Sequence, residues 1–157
     1  MNNLLEKDVE DYIFSLTDNE LHDKGLLFSG KLKRQVTIKG YGVADLIAIK
    51  KHYDEFNGKP YPYLTFTVFE LKRGKIDANT YFQALRYCYG IKEYLESRNF
   101  YVFDFEIVLV GKNIANCQYL KHLKSLTSNF HFSAGCVKNL TSYEYIEDGE
   151  NLYFDFK

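Results

Sequence analysis

Cysteine is scarce in this chain. There are three residues, an odd number, and no Cys-x-x-Cys pair. That argues against a disulfide-stapled framework and for a reducing compartment, so a cytoplasmic location is expected. Tryptophan is absent, and the aromatic content comes from 14 Tyr and 13 Phe, which fill cores and interfaces more often than they stack on bases. An excess of charge is missing too. The formal net charge is −1, so nothing draws the whole molecule to nucleic acid, and any such binding must come from a local patch. No apolar run approaches the ~20 residues that span a bilayer. Asn2 and Asn3 lead into an acidic amphipathic segment rather than a secretory leader. Repeats, linkers and low-complexity tracts are likewise lacking, and proline occurs only twice. What remains is 157 residues with 46% hydrophobic content, read as a single domain over 1–157 that can bury a real core.

One spacing invites a metal reading. Cys117, His122, His131 and Cys136 form a symmetric Cys-x4-His-x8-His-x4-Cys. Structural zinc sites carry tighter cysteine pairs, and the intervening segment looks apolar and helical, so buried thiols and surface histidines are the better reading.

The chain alternates helical and strand patterns. Leu5, Val9, Tyr12, Ile13 and Leu16 recur on one helical face, with Glu6, Asp8, Glu10 and Asp11 near the start, where acids complement the helix dipole. At 100° per residue Glu6 stands at the border of the apolar stripe and Glu10 farther round. Residues 17–30 read as a loop with a short turn. Lys31 to Ile38 alternates as a strand, with Leu32, Arg34, Val36 and Ile38 facing one way. Val43 to Ile49 is a second strand, and Asp45 interrupts its apolar run, a costly place for a lone carboxylate. Asn57-Gly58 signals a hairpin that returns the chain into a strand over Tyr63 to Arg73, so Asp45 and Glu70 are expected on adjacent antiparallel strands. A long helix follows over about Ala78 to Ser97, capped by Asp77 or Asn79. Phe100 to Val110 is a strand closed by Gly111, parallel to its predecessor. A shorter helix is expected over Asn116 to Leu126, then a strand over Ala134 to Ile146 and an edge strand over Leu152 to Phe156. The order α-β-β-β-α-β-α-β(-β) predicts an α/β domain, a central mixed sheet flanked by helices.

Six polar residues stand where apolar ones would be expected: Glu6, Asp45, Glu70, Lys72, Gln83 and Tyr87. Glu70 and Lys72 are two apart in a strand, so they share a face. Gln83 and Tyr87 are four apart in a helix, so they stack along its surface, with Arg86 beside them. A Glu-x-Lys alone is most often a weak surface pair. Two carboxylates on neighbouring strands, however, suit one or two hard divalent cations. A lysine beside them suits orientation of a water or stabilisation of charge on a phosphate. Each part has a use in phosphodiester hydrolysis.

Asp45 with Phe69-Glu70-Leu71-Lys72 resembles the PD-(D/E)xK nuclease motif. Gln83-Ala84-Leu85-Arg86-Tyr87, thirteen residues on from Glu70, resembles the Gln-x-x-x-Tyr motif of the RecB-like branch. The similarity runs over about residues 4 to 95, in the order seen in the catalytic domain of NucS-type endonucleases: Leu5-Glu6 to Ile13, Lys33-Arg34-Gln35-Val36, and Gly42-Val43-Ala44-Asp45. The resemblance implies a restriction-endonuclease-like fold and metal-dependent cleavage of DNA with Mg²⁺ or Mn²⁺. It implies Asp45, Glu70 and the Leu71 carbonyl as metal ligands. Glu6 would stand at the metal's far side, with Glu10 the less favoured candidate. Lys72 would position the nucleophilic water, and Gln83 and Tyr87 would fix the lysine and the scissile phosphate. Lys33, Arg34, Arg73 and Arg86 would contact flanking phosphates, which positions a strand without reading it. Three departures stand out: Ala44 replaces the motif's proline, the hairpin around Asn57-Gly58 is enlarged, and the amino-terminal dimerisation domain of NucS-type enzymes is missing.

Two readings compete with a repair, restriction or mobile-element deoxyribonuclease. One is a catalytically silent or partner-dependent module that docks on nucleic acid or protein, beside a helicase or defence protein; for the nuclease itself a homodimer is the expected assembly to test. The other is a structural protein whose acids are solvated strand ends.

Overall fold

The computed structural model describes residues 4–115, 121–123 and 135–157. It is a mixed α/β arrangement built on one six-stranded sheet with strand order β1-β2-β3-β4-β5-β6. The strands are β1 (Lys31–Ile38), β2 (Gly42–Phe56), β3 (Lys59–Ile76), β4 (Phe103–Ile114), β5 (Val137–Asp148) and β6 (Asn151–Phe156). The first three form an antiparallel meander, β3, β4 and β5 run parallel, and β6 returns antiparallel as the second edge. Helix α3 (Ala78–Glu96) makes the parallel crossover from β3 to β4, since parallel neighbours cannot be joined by a tight turn.

The sheet is apolar on both faces, and helices cover each. On one face, Ile47, Phe66, Val68, Phe105, Ile107 and Leu109 pack against Tyr81, Ala84, Tyr87, Cys88 and Ile91 of α3. On the other, Leu46, Phe69, Leu71, Val108 and Val110 meet Val9 and Ile13 of α1 (Glu6–Ser15), Leu21 of α2 (Asp18–Asp23) and Phe28. Each such side chain, taken fully out of water, stabilises the fold by about 1.5–3 kcal/mol. Asp77 caps α3, accepting from the Thr80 amide at 3.0 Å, and this fixes where the helix starts and hence where Gln83 and Tyr87 emerge.

The Asn57-Gly58 turn forms as expected, with Phe56 opposite Lys59 and positive φ at both turn residues. The enlarged hairpin expected around it is strand on both sides. It continues both strands into a long ribbon, because hydrogen-bonded pairing extends without a break from Leu46↔Phe69 to the turn.

Four expectations need correction. Residues 17–30 contain a real helix, α2, because Thr17 and Glu20 complete a capping box that stabilises even a six-residue segment. Strand β1 does not keep one face. Leu32 packs on the α1 side, and Arg34 bonds to α1, whereas Val36 and Ile38 pack on the α3 side. The switch coincides with Gln35, whose φ of 49° is left-handed. Gly111 does not end β4. The strand runs on to Ile114, and at Gly111 the glycine lets Ile76 and the Gly74 carbonyl lie close. Strand β4 also begins at Phe103, later than expected.

The expected helix over Asn116 to Leu126 lies mostly outside the described residues, although residues 121–123 are helical. Cys117 and His131 of the symmetric Cys/His spacing also lie outside them.

Candidate active site

The site forms where the sheet forks. Pairing between β2 and β3 ends at Leu46↔Phe69, yet β2 stays with β1 as far as Ile38↔Gly42, and β3 stays with β4 through Lys72↔Gly111. Asp45 and Glu70 are the next residues on either side of that last pair. Parting strands leave backbone donors without ladder partners, and side chains take their place. The Leu71 amide donates to Asp45 Oδ2 at 3.3 Å. Two residues on, the β3–β4 register shifts between Lys72 and Lys75. There the Arg73 amide donates to Glu6 Oε1 at 3.4 Å, and the Tyr145 hydroxyl donates to the Arg73 carbonyl at 2.7 Å. Such irregularities re-aim side chains next to functional sites.

A chain of polar contacts runs from β3 to α3. The Lys72 ammonium donates to Glu70 Oε1 at 2.7 Å and to Gln83 Oε1 at 3.4 Å, and the Gln83 amide donates to the Tyr87 hydroxyl at 3.3 Å. Tyr87 is buried in the α3-side core, so the chain is anchored at its far end, and the Arg86 guanidinium lies 5.6 Å from the Tyr87 ring centroid. Glu70 is only 1% exposed, and its second oxygen, Oε2, is buried without a partner among the described residues.

Burial dominates the electrostatics. It pushes the Glu70 carboxyl up to about 7. The Lys72 hydrogen bond and charge oppose this but do not overcome it, and the charges of Asp45 and Glu6 add to the rise. Burial also raises Asp45, partly offset by the Leu71 amide, while the charges of Glu10 and Glu6 push it the same way as burial. For Lys72, burial disfavours the ammonium, but Glu70, Glu6 and Asp45 outweigh it and hold the lysine above its ordinary value.

The six residues singled out in the sequence therefore stand close together at one end of the sheet. Lys72 contacts Glu70 and feels the charges of Asp45 and Glu6, and Glu6 reaches in from the first turn of α1 to accept from the Arg73 amide. Glu10, the acid ranked second, is the more buried of the two. It is 3% exposed, and it accepts from Arg34 Nε at 3.0 Å and from the Gln35 side-chain amide at 2.6 Å. Helical angle alone placed Glu10 away from the core; its burial depends on a cation supplied by β1, which periodicity does not show. The same contact changes the role of Arg34, which is committed to Glu10 and to Asp11 at 2.6 Å rather than left for a phosphate. Lys33, Arg73 and Arg86 are exposed and have no carboxylate partner among the described residues.

Among the described residues, no three or more His, Cys, Asp or Glu side chains stand close enough to share an ion. An apolar groove of about 810 Å³ lies to one side, between β1, β2 and the second half of α3, and it includes neither Asp45, Glu70 nor Lys72. No described helix is long and apolar enough to cross a membrane. Comparison with protein-family models, with curated proteins and with solved structures finds no match to this chain.

Proposed function

We propose that this chain is a metal-dependent nuclease of the PD-(D/E)xK type, with a restriction-endonuclease-like fold, that hydrolyses phosphodiester bonds in DNA. The observation that carries the proposal is the forked sheet edge, with Asp45 and Glu70 at the parting of β2 and β3 and Lys72 tied between Glu70 and Gln83.

The donor set fits a hard divalent cation. Asp45 and Glu70 offer carboxylate oxygens, Glu70 Oε2 lacks a partner among the described residues, and the Leu71 carbonyl belongs to the residue whose amide already binds Asp45. Mg²⁺ and Mn²⁺ prefer oxygen and keep several waters, so two protein carboxylates suffice where a transition-metal site would need more side chains. When bound, such an ion supplies an acidified water and charge stabilisation at the phosphate. Glu6, which accepts from the Arg73 amide next to Lys72, would hold a water of that ion's shell.

The protein's own groups do the rest. Lys72 holds its ammonium between an acid and an amide, in position to bind the attacking water or the charge that develops on the phosphate. Gln83, fixed by the buried Tyr87, keeps the lysine from swinging into solvent. Lys33, Arg73 and Arg86 remain available to grip phosphates on either side. A cleavage assay with Mg²⁺ or Mn²⁺ against EDTA, run beside Lys72→Ala, tests the proposal.

A second reading is a silent or partner-dependent binding module on the same scaffold. The near-zero net charge and the small number of acids in the site favour it. It predicts binding of DNA or of a partner protein without metal-dependent cleavage.

A further inference from the structure

Helix α3 carries more than the Gln83–Tyr87 pair. Phe82 and Tyr89 are seven residues apart and so share one stripe of the helix, with Arg86 between them. Both rings stand open to solvent, Phe82 at 53% and Tyr89 at 56% exposure. They lie about 10 Å apart along the helix axis. The Tyr41 ring continues the stripe, its centroid 6.0 Å from that of Tyr89. Two features hold Tyr41 there. Its hydroxyl donates to Glu93, and Gly90 leaves the ring room, since a Cβ at that position would come within 2.5 Å of it. Single exposed aromatics are ordinary, but two exposed rings in line, continued by the half-buried Tyr41 and separated by a guanidinium with no carboxylate partner among the described residues, beginning one residue from Gln83, are not.

We propose that Phe82, Arg86, Tyr89 and Tyr41 form a track for single-stranded nucleic acid that leads to Asp45 and Glu70. This rests on the nuclease reading and names its substrate class. Unpaired bases stack on the exposed rings, and Arg86 meets the phosphates between them. A duplex keeps its base faces within its own stack and cannot use the rings. The stripe suits a nucleic-acid strand better than an apolar protein helix, because a cation interrupts it and Lys39, also without a carboxylate partner among the described residues, lies at its far end beside Tyr41 in the groove lining. Glu93, the acid at that end, is occupied by the Tyr41 hydroxyl.

The test is fluorescence anisotropy with a labelled 15-nucleotide DNA strand and with its duplex, in EDTA, beside metal-dependent cleavage of both. The variants are Phe82→Ala/Tyr89→Ala and Phe82→Tyr. The wild-type chain is expected to bind the single strand at least tenfold more tightly than the duplex. The double variant is expected to lose roughly ten- to hundredfold on the single strand only, and Phe82→Tyr is expected to keep its binding. Equal affinity for both forms, or single-strand binding that survives the double substitution, would overturn the track. If cleavage that requires Lys72 persists in that case, the nuclease reading stands without it. Neither binding nor cleavage of any DNA would overturn both.

Discussion

The Lys72 ammonium donates to Glu70 Oε1 at 2.7 Å, while Glu70 Oε2, buried beside it, has no hydrogen-bond partner among the described residues. One oxygen is neutralised and the other is stranded, so the carboxylate is costly to keep charged at neutral pH. The sign of the pH dependence follows. The folded state holds the Glu70 proton up to about 7, whereas an unperturbed glutamate releases it near 4.5. Between those values the folded chain binds more protons than the unfolded one, so this contribution to stability falls as pH rises through that window. The gap amounts to about 3 kcal/mol. Urea denaturation at pH 5 and pH 8 should show a loss of that order, and Glu70→Gln should remove most of the difference. A wild-type protein that gains stability between those pH values would contradict the assignment.

Divalent cations should act in the opposite direction. An ion that binds only the folded chain stabilises it by about 2.7 kcal/mol at a hundred times its Kd. Because Glu70 must lose its proton first, the rise in Tm with Mg²⁺ or Mn²⁺ should be larger at pH 8 than at pH 6. Differential scanning fluorimetry should show this for the wild type and not for Glu70→Gln. A rise that is equal in both proteins would place the ion elsewhere.

Gln83 is expected to be a positioning residue. It contacts Lys72 Nζ at 3.4 Å and is itself held by the Tyr87 hydroxyl at 3.3 Å. Gln83→Leu should lower the cleavage rate roughly ten- to a hundredfold, the scale seen when groups that orient active-site ligands are removed. Tyr87→Phe should give a smaller loss in the same direction. Tm should move little in Gln83→Leu, because the side chain is only half-buried. A large fall in Tm with unchanged activity would make Gln83 structural.

Glu10 should matter for stability before activity. It is buried against Arg34 and Gln35. Glu10→Ala would leave the guanidinium with Asp11 as its one carboxylate partner among the described residues, beside the Phe14 ring. Arg34 is about one-third exposed, so water recovers part of the loss, and a destabilisation of about 1–3 kcal/mol is expected from chemical denaturation. Arg34→Ala should cost at least as much, because it leaves the more buried partner, Glu10, without its cation and with only the Gln35 amide.

Much of the fold was legible because local signals agreed with one another. The Asn57-Gly58 turn, the Asp77 cap, the bounds of β1 and the α3 periodicity each have a local cause, and each formed where the residues indicated. The parallel crossover from β3 to β4 followed from a helix between two apolar strands. Other features depend on contacts between distant segments. Gln35 turns β1 from one face to the other, and its amide binds Glu10 on α1, twenty-five positions away. No window of sequence contains both. The same holds for Tyr145, which closes the Arg73 carbonyl from a strand seventy-two positions on. At the site, residue types and spacing picked out Asp45, Glu70, Lys72, Gln83 and Tyr87 together. They could not show which acid of α1 would be buried, because that was decided by where Arg34 came to lie.

The most direct test of the central claim is cleavage by the purified chain. Single-stranded, duplex, flap and mismatched DNA would each be incubated with Mg²⁺, Mn²⁺ or EDTA, beside Glu70→Gln and Lys72→Ala. Metal-dependent cutting that both substitutions abolish is expected. Cutting that persists in EDTA or in Lys72→Ala, or none on any substrate together with no metal-induced rise in Tm, would contradict it.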